Sequence, residues 1–242
     1  MAEVVADSLR SQILDGELEV VPQLEVLVRE YDVGPPAPRE ALRILETEGL
    51  ITVRRGKVGG ADVHMPTNER VAYMLSLVLQ SDGTSLADIG AALRHLEPMC
   101  ASLGAAREDR REVLVPRLRT LNEEQAGSMG DRATTLRITD EFHALLVQEC
   151  GNKSLVELVG ALQLVWASHA EDLLYQKEVE PAPDAIWKAA LREHERIADA
   201  VDAGDQVAAA ELVLRHMQGS HAYMSTLDAE KPVLASTVHR RL

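Results

Sequence analysis

From residue 69 to about 227 the chain is an almost unbroken series of helical patterns, with breaks of only a few residues between them. Apolar residues recur at three- and four-residue spacing over 69–80, 85–106, 110–126, 132–149, 153–175, 183–203 and 205–227. The interruptions fall at Ser81-Asp82-Gly83, Gly127, Gly130, Gly151-Asn152, Pro181-Ala182-Pro183 and Ala203-Gly204-Asp205. Connections this short keep consecutive helices side by side, so the spacing predicts an all-α antiparallel helical bundle. Pro98 and Pro116 lie inside two of the patterns, where a kink or a restart is expected. Aromatics are only 3% of the residues, which leaves the core to Leu, Val, Ile and Ala. Residues 229–242 follow the last pattern and are expected to form a loosely ordered C-terminal tail.

The first 66 residues read differently. A helix over 3–15 runs through Val5, Leu9, Ile13 and Leu14 and stops at Gly16, and a second over 22–31 uses Leu24, Leu27 and Val28. Gly34-Pro35-Pro36-Ala37-Pro38 then separates it from a third, which runs to about Glu48 with Leu42 and Leu45 facing inward. Two β-type runs follow, Leu50-Ile51-Thr52-Val53 and Ala61-Asp62-Val63-His64, joined by the basic loop Arg54-Arg55-Gly56-Lys57-Val58-Gly59-Gly60. Three short helices and a two-stranded ribbon with a basic tip are the plan of a winged helix-turn-helix. The expected fold is therefore mainly α: a winged helix-turn-helix over 1–66, a helical bundle over 69–228, and the tail.

Charge placement matters more than its sum. The formal net charge of −14 argues against a protein that coats nucleic acid indiscriminately. Residues 1–64 carry seven basic and twelve acidic side chains, yet residues 39–60 carry Arg39, Arg43, Arg54, Arg55 and Lys57 against only Glu40, Glu46 and Glu48. Positive groups thus collect on the third helix and the ribbon tip, where they could neutralise phosphates or grip guanine edges. Gly59 and Gly60 would let the backbone approach a groove closely. The competing reading of this tip is a solvated hairpin turn. No apolar run reaches the roughly 18–20 residues that cross a bilayer, and no basic-then-apolar N-terminal segment marks a secretory signal. Cys100 and Cys150 are too few for a disulfide framework and match no metal motif. A cytoplasmic protein is expected.

Histidines mark the remainder. His194 falls within the apolar stripe Ile186, Ala190, Ile197, Ala198, Val201, and His216 within that of Leu212, Val213 and Tyr223. His143 follows Phe142 and borders the stripe Ile138, Phe142, Leu145. Three imidazoles that can converge suggest a transition-metal site, and a plain polar core is the alternative.

Residues 5–63 resemble the N-terminal domain of GntR-family transcription regulators. The likeness is carried by Leu9-Arg10-Ser11-Gln12-Ile13-Leu14-Asp15-Gly16-Glu17-Leu18, by Arg39-Glu40-Ala41-Leu42-Arg43-Ile44-Leu45-Glu46-Thr47-Glu48-Gly49-Leu50-Ile51, and by the 54–63 wing. The chain departs from the family in a shorter segment between Leu18 and Leu27, and in Gly34-Pro35 where Ser-Arg usually opens the recognition helix. Residues 69–227 resemble the FCD-type effector-binding domain of the FadR-like subgroup. The matching pieces are Leu93-Arg94-His95-Leu96-Glu97-Pro98, Asp140-Glu141-Phe142-His143, Gly151-Asn152, His194-Glu195-Arg196-Ile197, and Ala203-Gly204-Asp205 before His216.

These resemblances imply a ligand-responsive, non-enzymatic transcription regulator that acts as a homodimer on a double-stranded DNA operator. They also imply a divalent transition metal such as Zn or Ni, held by a carboxylate and three histidines. His143, His194 and His216 match the imidazole positions. The family's Asp position is Thr139 here, and Asp140 is the nearest substitute. Arg94 matches a family arginine suited to a small carboxylate effector, with an ordinary pair to Glu97 as its competing reading. His169 is a second effector candidate, or a core histidine. The alternative function is a His-site helical-bundle metalloenzyme with a vestigial winged domain. Against it, no general base stands beside the histidines and no phosphate loop or nucleophile motif is present. A pure interaction protein is the third possibility.

Overall fold

Val5, Leu9 and Ile13 repeat every four residues, so helix α1 (Ala2–Leu14) buries one stripe and leaves the rest in water. Helix α2 (Leu24–Glu30) adds Leu27 to the same core, and α3 (Pro36–Thr47) adds Ala41, Leu42 and Leu45. The prolines at 36 and 38 sit in the first turn of α3, where the backbone N–H groups have no intrahelical partner to lose. Strands β1 (Val20–Val21), β2 (Ile51–Val53) and β3 (Ala61–Val63) complete this unit as an antiparallel sheet in the order β1-β3-β2. The expected two-stranded ribbon therefore has a third strand, with Val21 opposite Ala61 on one side and Val53 opposite Ala61 on the other.

That third strand explains a glycine. Gly60 has φ +78°, and a Cβ there would lie 2.6 Å from the carbonyl oxygen of Val21. The residue is glycine because β1 leaves no room, a reason internal to the sheet rather than an approach to a groove.

This structure is a computed structural model that describes residues 1–54, 59–174, 184–225 and 231–239, and the chain divides into two units, Met1–Thr67 and Asn68–Leu242. His64 still belongs to the first unit's ladder, its N–H donating to the Leu50 carbonyl at 2.7 Å. Asn68 is already fixed in the second, donating to the Val156 carbonyl and lying against Gly160. Residues 65–67 span the gap.

The second unit is helical among its described residues: α4 (Asn68–Ser81), α5 (Leu86–Ala106), α6 (Arg110–Gly127), α7 (Arg132–Gln148), α8 (Lys153–Leu174), α9 (Asp184–Ala203), α10 (Gln206–Ser225) and α11 (Ala235–His239). Helix α5 is the axis, packed against α7, α8, α9 and α10 through residues that include Ile89, Leu93, Cys100 and Ala101. Its start is capped by Ser85, which accepts from the Asp88 N–H. Neither Pro98 nor Pro116 restarts its helix; α5 and α6 each continue through as one element. An interior proline costs about 3 kcal/mol in lost hydrogen bonding and crowding, and in α5 the burial of Pro98 with Leu93, Cys100 and Ala101 works against that cost. None of the described helices is long and apolar enough to cross a membrane.

The expected loose tail is not loose over residues 231–239. The Leu86 N–H donates to the Lys231 carbonyl at 3.0 Å, the Val233 N–H to the Thr84 carbonyl at 2.9 Å, and the Ala235 N–H to Gln80 Oε1 at 2.8 Å. Val233 and Val238 are buried, and α11 packs on α4 and α8. His169 completes the attachment: its Nδ1 donates to the Val165 carbonyl at 2.8 Å and its Nε2 accepts the Leu234 N–H at 2.9 Å. Both ring nitrogens of His169 are engaged inside the fold, which favours the core-histidine alternative over an effector contact. His169→Ala is expected to cost about 1–3 kcal/mol, because the part-buried hydrogen bond from the Leu234 N–H loses its acceptor. Denaturant titration measures the loss, and faster hydrogen exchange confined to residues 231–239 identifies its cause.

Candidate metal centre and DNA-contact surface

Three helices each deliver one imidazole because each carries a histidine in its buried stripe. On α7 the residues Ile138, Phe142, Leu145 and Leu146 face the core and bring His143 beside them. On α9 His194 precedes Ile197, Ala198 and Val201, and on α10 His216 follows Ala209 and Val213, all buried. Phe142, the one phenylalanine of the chain, stacks on the His194 ring at a centroid distance of 4.1 Å and an interplanar angle of 11°. His194 is fully buried, and His216 is 2% exposed.

The rings meet nitrogen to nitrogen. His194 Nε2 lies 3.2 Å from His216 Nε2, which lies 3.1 Å from His143 Nε2. Behind each ring stands an oxygen. Glu97 Oε2 is 2.7 Å from His143 Nδ1, Gln125 Oε1 is 2.8 Å from His194 Nδ1, and Glu193 Oε2 is 2.8 Å from His216 Nδ1. Carboxylate and amide oxygens only accept, so each Nδ1 carries the hydrogen, and in a neutral ring Nε2 is left with a lone pair turned toward the cluster. Neutral rings so placed set lone pair against lone pair, which a proton or a metal ion between them relieves. Zinc–imidazole bonds of about 2.0–2.1 Å at tetrahedral angles would set neighbouring nitrogens roughly 3.3–3.4 Å apart, close to the two spacings about His216 Nε2. The donor set therefore fits a borderline divalent ion.

The supporting oxygens are themselves held. Glu97 is 2% exposed, and its second oxygen accepts from Gln163 Nε2 at 2.9 Å. Burial opposes the charged form of His143, but the Glu97 carboxylate and the more distant Asp140 push its pKa above the usual value overall. Burial drives His194 well below the ordinary imidazole range, with His216 and His143 adding to the effect. Burial also lowers His216, against the pull of Glu193, while the His216 hydrogen bond lowers the Glu193 carboxyl. His194 and His216 are thus neutral rings, the form that ligates metal.

Of the expected ligands the structure gathers His143, His194 and His216, whose donor atoms all lie within 4.8 Å of one another. Asp140 is partly buried and acts on His143 through its charge, outside that cluster. Arg94 is partly buried on α5, one turn before Glu97. Sequence reasoning missed Glu97, Gln125 and Glu193 as supports. A signal existed for two of them: Glu97 interrupts the stripe Leu93, Glu97, Cys100, Ala101, and Gln125 extends Leu114, Leu118, Asn122 on α6. Glu193 shows no such pattern. Asn122 is also buried, and its Oδ1 has no hydrogen-bond partner among the described residues.

In the first unit Arg39 and Arg43 are exposed on α3, and Arg54 is exposed at the end of β2. Two of these cations hold carboxylates. Arg43 pairs with Glu40 at 2.8 Å, and Arg54 pairs with Asp62 on the adjoining strand, lowering that carboxyl's pKa. Gly59 has φ +57° and lies against the Gln23 side chain. Arg55 and Lys57 lie outside the described residues.

Comparison with known proteins places these two surfaces in context. Residues 1–58 match the family described as bacterial regulatory proteins, gntR family, and residues 88–219 match the FCD domain. The HTH-type transcriptional repressor NanR of Citrobacter rodentium is 25% identical over 230 residues, covering 92% of this chain and 84% of that protein. Its counterpart in Salmonella newport is 25% identical with the same coverage. Among solved structures, Streptococcus agalactiae GntR is similar in fold, with a TM-score of 0.70 at 22% identity, covering 92% of this chain and 100% of that one.

The helix that carries His143 starts at Asp131, whose side chain accepts from the Ala133 and Thr134 N–H groups and from the Thr134 hydroxyl. Those bonds favour the charged carboxylate and lower its pKa, the Thr134 hydroxyl most of all. A carboxyl depressed in the folded state stabilises above its unfolded pKa and loses that contribution as pH falls through the folded one. Asp131→Ala is therefore expected to lower the thermal midpoint at neutral pH. The gap from the parent should close as the pH is taken below about 4. Melting curves across that range check both halves.

Proposed function

The chain belongs to the GntR family of bacterial regulatory proteins, in the group that carries an FCD domain, and from that membership we propose how it senses a signal and answers it. It is a ligand-responsive, DNA-binding transcription regulator, and its relatives are regulators too, which sets aside the metalloenzyme reading. Its helical unit holds a divalent transition metal, such as Zn or Ni, through His143, His194 and His216, and takes a small carboxylate as effector. The observation that carries this reading is the convergence of three Nε2 atoms, two of them on buried rings and one on a partly buried ring, each with an acceptor behind its Nδ1.

When bound, the ion supplies concentrated positive charge and coordination positions open to an anionic oxygen. The chain's own residues do the rest. Glu97, Gln125 and Glu193 fix the ring planes, as outer partners do in metal sites generally. Asp140 tempers the local charge from outside the cluster. Arg94 supplies a planar fork of the kind that matches a carboxylate, and the unpaired Asn122 Oδ1 is a further acceptor buried on α6.

At the other end Arg39, Arg43, Arg54, Arg55 and Lys57, with Gly59 and Gly60 shaping the wing, contact the operator. Arg43 and Arg54 exchange Glu40 and Asp62 for phosphates as they do so. The chain acts as a cytoplasmic homodimer on a near-palindromic site, and effector binding favours one arrangement of the heads. A coupling of about 1–3 kcal/mol is typical of such switches. The relatives named as repressors support repression as the basal state.

Metal should be found by elemental analysis, and its removal by chelation should lower the thermal midpoint, with Zn or Ni restoring it. A ligand present at 100 times its Kd stabilises by about 2.7 kcal/mol, well within what a melt resolves. The triple variant His143→Ala/His194→Ala/His216→Ala should show no metal-linked shift; a shift that persists overturns the ligand set. Replacing Arg39, Arg43 and Arg54 together by Ala should weaken binding to upstream DNA. It should also flatten the salt dependence by up to about 0.9 log units per lost phosphate contact. An unchanged slope removes those residues from the interface.

A further inference from the structure

Behind His194 the support differs in kind from that behind the other two rings. His143 and His216 each lean on a carboxylate, whereas His194 leans on a neutral amide, Gln125, which is fully buried. An amide can be turned end for end. With its oxygen toward the ring it forces the hydrogen onto Nδ1; with its nitrogen toward the ring it forces the hydrogen onto Nε2, which closes that nitrogen to a metal. Something must decide between the two.

The deciding contact lies one step further out. Thr139 Oγ1–H donates to the Thr135 carbonyl of the preceding turn at 3.0 Å, so its hydrogen is spent and its lone pairs remain. Gln125 Nε2 donates to Thr139 Oγ1 at 3.3 Å, which leaves Gln125 Oε1 to face His194 Nδ1 at 2.8 Å. Each bond in the relay runs in one direction: His194 Nδ1–H to Gln125, Gln125 N–H to Thr139, Thr139 O–H to Thr135. Phe142, stacked on the His194 ring at a centroid distance of 4.1 Å, fixes the plane of that ring but is indifferent to which nitrogen is protonated. We propose that Gln125, oriented by Thr139, is the positioning residue that selects the Nδ1–H tautomer of His194 and so keeps its Nε2 open as a metal donor. The threonine that stands where a ligand carboxylate is expected thus serves the site from behind.

The proposal deepens the metal reading, and its first test does not depend on that reading. In full-length protein stripped by chelator and labelled with ¹⁵N-histidine, long-range ¹⁵N–¹H spectra report the tautomer of each ring. The His194 signals should show a protonated Nδ1 and a bare Nε2 in the parent and in Gln125→Glu, whose carboxylate can only accept. Gln125→Leu should move the hydrogen to Nε2, where His216 Nε2 can accept it. Thr139→Val should give a mixture of the two forms, because the amide is then free to turn, and Thr139→Ser should restore the parent signals. Zinc affinity, titrated against a competing chelator, should fall by about 10–100-fold in Gln125→Leu, the usual effect of losing an outer partner. It should stay within a few-fold of the parent in Gln125→Glu.

If Gln125→Leu does not fold, as judged by its melt, the nearly isosteric Thr139→Val carries the same reading. A parent His194 with its hydrogen on Nε2, or a Gln125→Leu or Thr139→Val variant that keeps both tautomer and zinc affinity, overturns the proposal. A parent that shows the bare Nε2 yet binds neither Zn nor Ni upholds the relay and removes the metal reading alone.

Discussion

Three imidazole rings meet at their Nε2 atoms within a helical bundle, and as neutral rings they set lone pairs against one another until a proton or a metal ion comes between them. The rings come from α7, α9 and α10, while the acceptors behind them come from α5, α6 and α9. Five helices must therefore dock correctly before any one ring is held. Formation of the site and assembly of the bundle are the same event. Burying Glu97 among apolar neighbours would cost several kcal/mol if it stood alone, and the Nδ1–H of His143 and the amide of Gln163 offset that cost. A metal ion held among the rings would relieve the repulsion between neutral rings, and its binding would then be linked to the stability of the bundle.

The winged unit meets a related difficulty at its surface. A chain with net charge −14 approaches a polyanion against a repulsive background, so contact depends on where its few cations stand. Arg43 and Arg54 are held by Glu40 and Asp62 across short distances. These exposed pairs are weak individually, and salt screens them. They keep the guanidinium groups extended at little energetic cost to their release. Selectivity for a duplex then comes from shape and register more than from bulk attraction.

The main elements and the imidazole cluster were readable in the sequence because each left a mark on an apolar stripe. His194 and His216 interrupt such stripes, and no amphipathic helix buries a polar ring without a partner. Glu97 left the same mark, but its spacing from Arg94 supplied an ordinary surface explanation and hid the better one. Gln125 and Thr139 are neutral residues whose importance lies in the direction of their hydrogen bonds, and spacing carries no direction. Strand β1 is two residues long and α11 five, both too short for periodicity to register. The partners of His169, Val165 and Leu234, lie 4 and 65 residues away, the second beyond any local pattern. Pro98 was read by its backbone rule alone, whereas it is buried in a helix that continues through it.

The stretch between the last ladder bond at His64 and the anchored Asn68 is three residues, with Pro66 in the middle. Fully extended, such a tether reaches about 10 Å, and a proline stiffens it further. Slack of that size cannot let a reading head wander over neighbouring turns of a duplex. A tether that short leaves little chain in which a displacement of one unit could be lost before it reaches the other.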